Sequence, residues 1–386
     1  MNTMPTDRQS PFRKLSPIVK WAGGKKSELK YILPRVPAPI INYYEPFVGG
    51  GAVYTAVEAE HYYINDRSTE LISLYRCLSG IERQRFFEAV DRIDHCWRLL
   101  TDITENNSSV LCRSYRRYAT DILSEGDLET VILAFVIERL PDFDAVFSHI
   151  FEFDTPNFLG ELKINMMRKL QRMKVLEQEK HIMPEDDVLS NIETSLKSAL
   201  YMHFRHISNH SEKYKLSESV RTAIFLFIRN YAYSGMFRYN NSGLFNVPYG
   251  GIGYNRKSFA RKIEYLKSKQ LSDLLEKTTI AEGDFETFLR ETAPGQNDFV
   301  FLDPPYDSEF STYAKNEFAK ADQARLADYL IDDCRTKWML VIKNTPLIRD
   351  LYFEKHLHIM SFDKNYLVSF MNRNDKNAEH LLITNY

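Results

Sequence analysis

The tetrapeptide Asp303-Pro304-Pro305-Tyr306 follows directly on Asp298-Phe-Val-Phe-Leu302, a short apolar run. That run reads as a buried strand, so the four residues are delivered to its carboxyl end. Two prolines fix φ and remove two backbone donors, which leaves a stiff turn whose carbonyls can accept. Asp303 adds a carboxylate beside them. A planar amino group on an aromatic base has two N–H donors and a lone pair delocalised into the ring, and is therefore a poor nucleophile. If the Asp303 carboxylate and the Pro304 carbonyl each accept one N–H, the nitrogen is held toward tetrahedral geometry with its lone pair aimed at an electrophile. The Tyr306 ring can stack on the base face, a contact contributing roughly 1–3 kcal/mol. The plainer alternative is a proline-stiffened strand exit with Asp303 as a helix cap and Tyr306 in the core. Open sheets bind ligands at strand carboxyl ends, which favours the chemical reading.

The elements that must position this turn read as an α/β fold. Ile40–Tyr44 reads as a strand, Glu45–Ala52 with Gly49, Gly50 and Gly51 as a tight loop, and Val53–Ala59 as a helix start. His61–Ile64 is a second strand ending in Asn65-Asp66, after which Ser68 can cap a helix to about Cys77. An acid 17 positions beyond Gly49 is placed where a nucleotide fold holds ribose hydroxyls, and the glycines allow close backbone approach to a ligand. From Ile81 to about Ser219 the pattern is helical and charged, which interrupts the sheet. Sheet patterning resumes at Thr279–Phe285, continues through the Asp303 strand and a helix capped by Asp322, and then Trp338–Lys343. Residues 356–362 and 380–386 alternate enough to form a terminal hairpin around a polar loop at 372–377.

At 386 residues, 44% hydrophobic and 26% charged, the chain suits one large or two modest domains. No stretch approaches 18 uninterrupted apolar residues, so no membrane span is expected. The polar start Met1–Lys14 lacks the apolar centre of a signal peptide, and a cytoplasmic, nucleoid-associated location is expected. Cys77, Cys96, Cys112 and Cys334 are widely spaced and read as reduced packing residues rather than a disulfide or zinc framework. A net charge of −2 hides an asymmetry. Residues 221–270 hold Arg221, Arg229, Arg238, Arg256, Lys257, Arg261, Lys262, Lys267 and Lys269 against Glu264 alone, a candidate phosphate-contacting surface. His203, His206 and His210 are spaced for one helical face, but no carboxylate or thiolate completes a set in the sequence pattern, and no metal is expected there.

Lys20-Trp-Ala-Gly-Gly-Lys25, Glu45-Pro-Phe-Val-Gly-Gly-Gly-Ala52, Asn65-Asp66, Gly283-Asp284-Phe285 and Asp303-Pro-Pro-Tyr306, in that order, resemble the Dam-type DNA adenine-N6 methyltransferases of the alpha group (D12 class). The resemblance covers about residues 17–80 and 220–386. It includes Arg229–Asn240 and Gly243–Gly250, a hairpin-like DNA-contacting segment in that family, and is silent over about 127–215. It implies a Rossmann-like methyltransferase open sheet with a C-terminal antiparallel hairpin, interrupted by a mostly helical insert. The corresponding organisation is a flexible start at 1–16, a catalytic domain at 17–80 and 255–386, and an insert and recognition region at 81–254.

The cofactor implied is S-adenosyl-L-methionine, released as S-adenosyl-L-homocysteine. Trp21, Lys25, Glu45, Phe47 and Gly49 then match its contacts and Asp66 its ribose carboxylate. Asp284-Phe285 would lie by its adenine, and Asp303 would touch both cofactor and target amine. Tyr233 matches a duplex-wedging aromatic and Arg238 a base-reading arginine, with Ser234, Asn240, Arg256 and Lys257 as further DNA contacts. Ser234 departs from the asparagine of Dam itself, so the target sequence is not carried over. The reaction implied is methyl transfer to N6 of a flipped adenine in double-stranded DNA. The alternatives are another planar amine (cytosine N4, RNA or a protein glutamine), a dinucleotide-dependent oxidoreductase, and a non-catalytic DNA-binding module. The glycine triplet is not Gly-x-Gly-x-x-Gly, which disfavours the oxidoreductase. A monomer or weak dimer is expected, with a cognate restriction endonuclease as a partner the resemblance allows.

Overall fold

The computed structural model describes residues 15–21, 23–139, 141, 154–306, 318–365 and 377–386. The start expected to be flexible lies, up to residue 14, outside the described residues, as does most of the loop expected at 372–377. The chain divides into two compact units, one within residues 1–79, 237–239 and 266–386, the other within 80–236 and 240–265. Residues 255–265 therefore group with the helical unit, whereas the organisation implied by the resemblance places them in the catalytic domain.

The first unit is built on a seven-stranded sheet. Its strands are β1 (Asn42–Glu45), β2 (His61–Asp66), β3 (Thr278–Glu282), β4 (Phe299–Leu302), β5 (Lys337–Lys343), β6 (His358–Asn365) and β7 (Asn377–Thr384), in the order β3-β2-β1-β4-β5-β7-β6. The pairs β1/β2, β2/β3, β1/β4 and β4/β5 are parallel, and β7 runs antiparallel to both β5 and β6. This is the expected open sheet with its terminal hairpin. Phe299, Val300, Phe301 and Leu302 are all fully buried, the mark of a central parallel strand covered on both faces. Burial of each side chain contributes about 1.5–3 kcal/mol.

Asp298 fixes β4 against β1. Its Oδ1 accepts from the Asn42 backbone amide at 3.2 Å and from Asn42 Nδ2 at 2.8 Å, and its Oδ2 accepts from the Gly295 amide at 2.7 Å. Tyr43 lies opposite Phe299 and Tyr44 opposite Val300. Strand order reverses direction at this pair, since β1 is followed in the chain by β2 on one side while β4 stands on the other. A crevice for ligands forms at such a point, outside the carboxyl ends of the strands. The residues leaving β1 and β4 there are Pro46-Phe47 and Asp303-Pro304.

Two local expectations need correction. Val53–Ala59 forms turns rather than a helix. The Thr55 amide bonds to the Gly51 carbonyl and the Val57 amide to that of Val53, but the Ala59 amide is taken by the Tyr62 hydroxyl at 2.8 Å. β2 begins at His61, too soon for a second turn to propagate. Asp322 is not the N-cap of the Lys320–Asp328 helix. It sits inside the first turn and accepts from the Ala319 amide at 2.9 Å. Ser68 does cap the Thr69–Ser79 helix, accepting from the Leu71 amide at 3.3 Å.

The second unit consists of long helices, Arg83–Asn106, Ser108–Ala119, Glu125–Glu138, Thr155–Glu179, Glu185–Asn209 and Glu218–Tyr231, followed by an irregular segment. In that segment Ala232 bridges Tyr249, the Tyr233 amide bonds to the Pro248 carbonyl and the Gly250 amide to that of Tyr231, closing a hairpin-like loop. The histidines are engaged in structural bonds, although the His206 and His210 rings lie 4.4 Å apart. His203 is 1% exposed, with Nδ1 3.0 Å from Asn157 Oδ1, while His206 Nε2 is 3.0 Å from the Tyr214 hydroxyl and His210 Nδ1 donates to the His206 carbonyl. Among the described residues no group of three His, Cys, Asp or Glu side chains converges as metal ligands would.

Burial holds the His203 imidazole down at about 4, against an ordinary 6.5, and repulsion from His206 adds to it. His203 is thus neutral in the fold and must charge as the pH drops. Its contribution to stability is complete above the unfolded value near 6.5 and is lost as the pH falls through about 4. The loss over that window is about 3 kcal/mol. His203→Gln is expected to flatten the dependence of unfolding free energy on pH between 6.5 and 4, measured by denaturant titration. An acid slope equal to the parent's would disprove the assignment.

Candidate active site

The centre of the site is a buried lysine. Lys25 is 2% exposed and lies in a short 3-10 turn, Lys25–Ser27, just before the Leu29–Ile32 helix. Its Nζ is 2.5 Å from Asp303 Oδ1, 3.0 Å from the Tyr306 hydroxyl and 3.1 Å from the Gly23 carbonyl. Burial alone would lower the pKa of this ammonium, but the charges of Asp303, Tyr306 and Glu28 outweigh burial and raise it above the ordinary lysine value. An ammonium this close favours the carboxylate form of Asp303, which only accepts hydrogen bonds. Tyr306 is half-buried, with its ring edge-on to His380 at 5.2 Å. Gln323, on the Lys320–Asp328 helix, donates from Nε2 to the Pro305 carbonyl at 2.7 Å and so pins the proline turn.

A second carboxyl faces this cluster from β1. Glu45 is buried, and its Oε2 accepts from the Tyr43 hydroxyl at 2.6 Å. Burial pushes the Glu45 carboxyl well above the usual carboxylate range. The Tyr43 bond opposes the rise and the charge of Asp303 adds to it. One carboxyl in the crevice is thus pressed toward its neutral form while its neighbour is held beside a cation.

The glycine loop leaves β1 with no room for side chains. Gly49 (φ +49°) would place a Cβ 2.9 Å from Trp21 Cδ1, Gly50 would drive one into the Val19 carbonyl, and Gly51 (φ +75°) would set one 2.6 Å from the Tyr75 hydroxyl. Asp66, at the end of β2, holds this loop. Its Oδ2 accepts from the Gly49 amide and its Oδ1 from the Ser68 amide, each at 3.0 Å, while the Tyr75 hydroxyl donates to the Gly49 carbonyl at 3.0 Å. Burial raises the Asp66 carboxyl above its ordinary value against these amide bonds. Trp21 packs on Phe237 with ring centroids 5.1 Å apart.

Phe47 leaves the same loop and meets Phe285 and Phe318, each at 5.5 Å between centroids. Asp284 caps the Phe285–Thr292 helix by accepting from the Glu286 amide at 3.0 Å. It also accepts from Arg67 at 2.6 Å and from Arg325 at 2.7 Å. Burial would raise its carboxyl, but the bonds from Arg325, Glu286 and Arg67 leave it below the ordinary value. Within the sheet unit, therefore, Glu45, Phe47, Gly49, Asp66, Asp284, Phe285, Asp303, Pro304 and Tyr306 end or follow the parallel strands β1 to β4 at their carboxyl ends, and Trp21 and Lys25 pack against them at Gly49 and Asp303. Tyr43, which reaches Glu45 two positions along the same strand, and Tyr75, Gln323, Arg67 and Arg325 complete the set, and no local pattern marks the last four, because each acts through a partner distant in sequence. Arg67 shows this best, since it closes on Asp284 from 217 positions away.

Of the residues read as DNA contacts, Arg238 belongs to the sheet unit and is exposed. Tyr233, Ser234, Asn240, Arg256 and Lys257 belong to the helical unit. Tyr233 is 46% exposed, a large aromatic turned to solvent. Ser234 follows in the left-handed region (φ +52°), which costs a serine more than the asparagine or glycine that favour it. Asn240 spends its side-chain oxygen on the Ser242 and Leu244 amides at 3.0 and 2.9 Å, shaping the loop tip. Arg256 is exposed. Lys257 donates to the Asn230 carbonyl and lies over the rings of Tyr231 and Tyr254. Not all of the basic run is surface. Arg229 is 1% exposed and donates to the Met236 carbonyl at 2.8 Å and the Gly235 carbonyl at 3.3 Å. It braces the turn behind Tyr233 and leaves the expected phosphate-contacting set.

Residues 21–103 and 161–366 match the model of the D12 class N6 adenine-specific DNA methyltransferase family. The chain is 25% identical over 379 residues to the type II methyltransferase M.CviBI of Paramecium bursaria Chlorella virus NC1A, covering 96% of this chain and 100% of that one. It is 24% identical over 356 residues to the type II methyltransferase M1.LlaDCHI of Lactococcus lactis subsp. cremoris, covering 89% and 87%. It is also 25% identical over 212 residues to a DNA adenine methylase of Vibrio cholerae serotype O1, covering 52% and 68%.

Proposed function

This chain belongs to the D12 class N6 adenine-specific DNA methyltransferases, and from that premise we propose that Asp303 and the Pro304 carbonyl hold the N6 amine of an adenine flipped from double-stranded DNA. The observation that carries this reading is the Lys25–Asp303–Tyr306 cluster at the carboxyl ends of β1 and β4. Each acceptor takes one N–H, which withdraws the nitrogen lone pair from the ring and directs it across the crevice. Lys25 orients the carboxylate and keeps it an acceptor. The Tyr306 ring offers a stacking face, with its hydroxyl tethered to Lys25. Flipping costs a few kcal/mol, which the exposed Tyr233, filling the vacated stack, offsets. Arg238, Ser234, Asn240 and Arg256 then contact the duplex, with Lys257 supporting them from beneath.

S-adenosyl-L-methionine fits the residues present, because Glu45 and Asp66 place carboxyl acceptors at the ends of β1 and β2 and the rings of Phe47, Phe285 and Phe318 cluster where its adenine would lie. When bound, it supplies an electrophilic methyl carbon on a sulfonium, so the amine needs no strong base. Trp21, Glu45, Gly49 and Asp66 would hold its amino acid and ribose parts, and Phe47, Asp284 and Phe285 its adenine. The proton lost by the methylated amine leaves through Asp303 or water. Among the described residues no helix is long and apolar enough to cross a membrane.

Expression in a host that lacks adenine methylation, followed by mass spectrometry of the DNA nucleosides and single-molecule mapping, is expected to give N6-methyladenine confined to one short sequence. Methyl groups only on cytosine N4, on RNA or on protein would refute the acceptor. Two relatives are named type II methyltransferases, which supports a protective role beside a cognate restriction endonuclease. DNA from the expressing host should then resist cleavage at the mapped sequence.

A further inference from the structure

The helical unit carries a cavity of about 340 Å³ that the reaction does not use. Its walls come from three segments. The Thr155–Glu179 helix contributes Arg168, Lys169 and Arg172. The Glu185–Asn209 helix contributes Ser198 and Arg205, and the hairpin-like loop contributes Tyr249. Among the described residues every charged side chain lining it is a cation, and none is a carboxylate. Cations that lie this close on two adjacent helices repel one another, and folding does not place four of them around one hollow for stability's sake.

The arrangement is held rather than incidental. Arg168 donates to Asn165 Oδ1 at 2.8 Å, and the Ser198 hydroxyl donates to the same oxygen at 2.9 Å, which ties the two helices at the cavity wall. Arg205 donates to the Val247 carbonyl at 3.2 Å, which ties the second helix to the hairpin-like loop. Burial lowers the pKa of the Lys169 ammonium, and the charge of Arg168 lowers it further. Burial also lowers Arg205, with Tyr201 and Glu161 only partly restoring it. Positive charge is therefore under-compensated here. It is relieved when an anion with several acceptor oxygens enters.

The geometry points to this cavity as a phosphodiester-binding site, in which Lys169, Arg172, Arg168 and Arg205 grip the backbone of the DNA duplex whose adenine is methylated. This assignment rests on the reading of the protein as a DNA methyltransferase. The loop that lines one wall is the segment that carries Tyr233 and Asn240, so a backbone phosphate is the anion that a bound duplex brings to it. Such a contact adds affinity and register without reading sequence.

The test is the pair of variants Lys169→Gln/Arg172→Gln and Lys169→Glu/Arg172→Glu in the full chain. Both side chains reach the cavity, and among the described residues neither makes a hydrogen bond or ion pair that anchors a helix; circular dichroism verifies the fold. Fluorescence anisotropy with labelled duplexes, with and without the methylated sequence, is run across a salt series. The neutral pair is expected to weaken both duplexes equally, by roughly 10-fold at about 0.1 M salt, and to lower the slope of log Kd against log salt by about 1 for each phosphate no longer neutralised. The reversed pair should weaken both further, with cofactor affinity and turnover at saturating DNA unchanged. Parental affinities and slope in both variants overturn the assignment. So does a loss seen only when inorganic phosphate is titrated, which makes the cavity a site for a free anion. Methylation by the parent chain, measured alongside, separates failure of this site from failure of the functional reading.

Discussion

Asp303→Ala is expected to reduce methyl transfer to DNA by at least about 10³-fold, while duplex binding through the helical unit is retained. An acceptor that shapes the reacting nitrogen acts only as the lone pair is drawn out of the ring, so its loss should appear in turnover rather than in substrate affinity. The alanine variant carries a complication. It leaves Lys25, 2% exposed, without its carboxylate, and stranding one member of a buried pair costs about 3–5 kcal/mol of stability. Asp303→Asn separates the two effects. Its amide oxygen can still accept from Lys25, so melting should stay near the parent's. Its weaker acceptor oxygen should still cut turnover by about 100-fold, because a neutral acceptor is roughly half as strong as a charged one. Single-turnover kinetics on a hemimethylated or unmethylated duplex, with Kd measured separately, decides the matter. Turnover within about threefold of the parent in a folded Asp303→Asn protein would remove Asp303 from the reaction.

The parts of this enzyme that were legible in its sequence are those whose physics is local. Asp298–Leu302 reads as a buried strand from its apolar run alone, and the two prolines after it mark a stiff turn. The glycine triplet announced close approach, and the structure names what approaches, which is the Trp21 ring, the Val19 carbonyl and the Tyr75 hydroxyl. What escaped sequence reading is pairing across long separations. Nothing around Gln323 shows that it holds the Pro305 carbonyl, and nothing around Arg67 or Arg325 shows that they converge on Asp284. The opposite error has the same origin. Arg229 and Lys257 looked like surface charge because composition counts cations without their direction, and both are spent on backbone carbonyls of the helical unit. The Val53–Ala59 segment has helical bonds at its start, but the approach of β2 ends it, which no propensity records.

Lys25 links these levels, and Lys25→Met is the substitution with the second largest expected effect. Methionine keeps the length and the burial of the side chain but removes the three bonds to Asp303, Tyr306 and the Gly23 carbonyl. The carboxylate then faces Glu45, itself pressed upward by burial, with no cation between them. Two neighbouring carboxyls without a cation shift toward sharing a proton, and a protonated Asp303 donates where it must accept. Turnover is expected to fall about 100-fold near pH 7. The sign follows from the missing charge. Removing a cation favours the acid form, so the variant should recover activity as the pH rises, over a range in which the parent is flat. Lys25→Arg should not restore the parent's rate, because a guanidinium is larger than the space left in a site that is 2% exposed and cannot reproduce three bonds from a single nitrogen. A pH–rate profile of the Met variant parallel to the parent's, or a loss smaller than about threefold, would show that the ion pair is architecture alone and that the proline turn holds Asp303 in place without it.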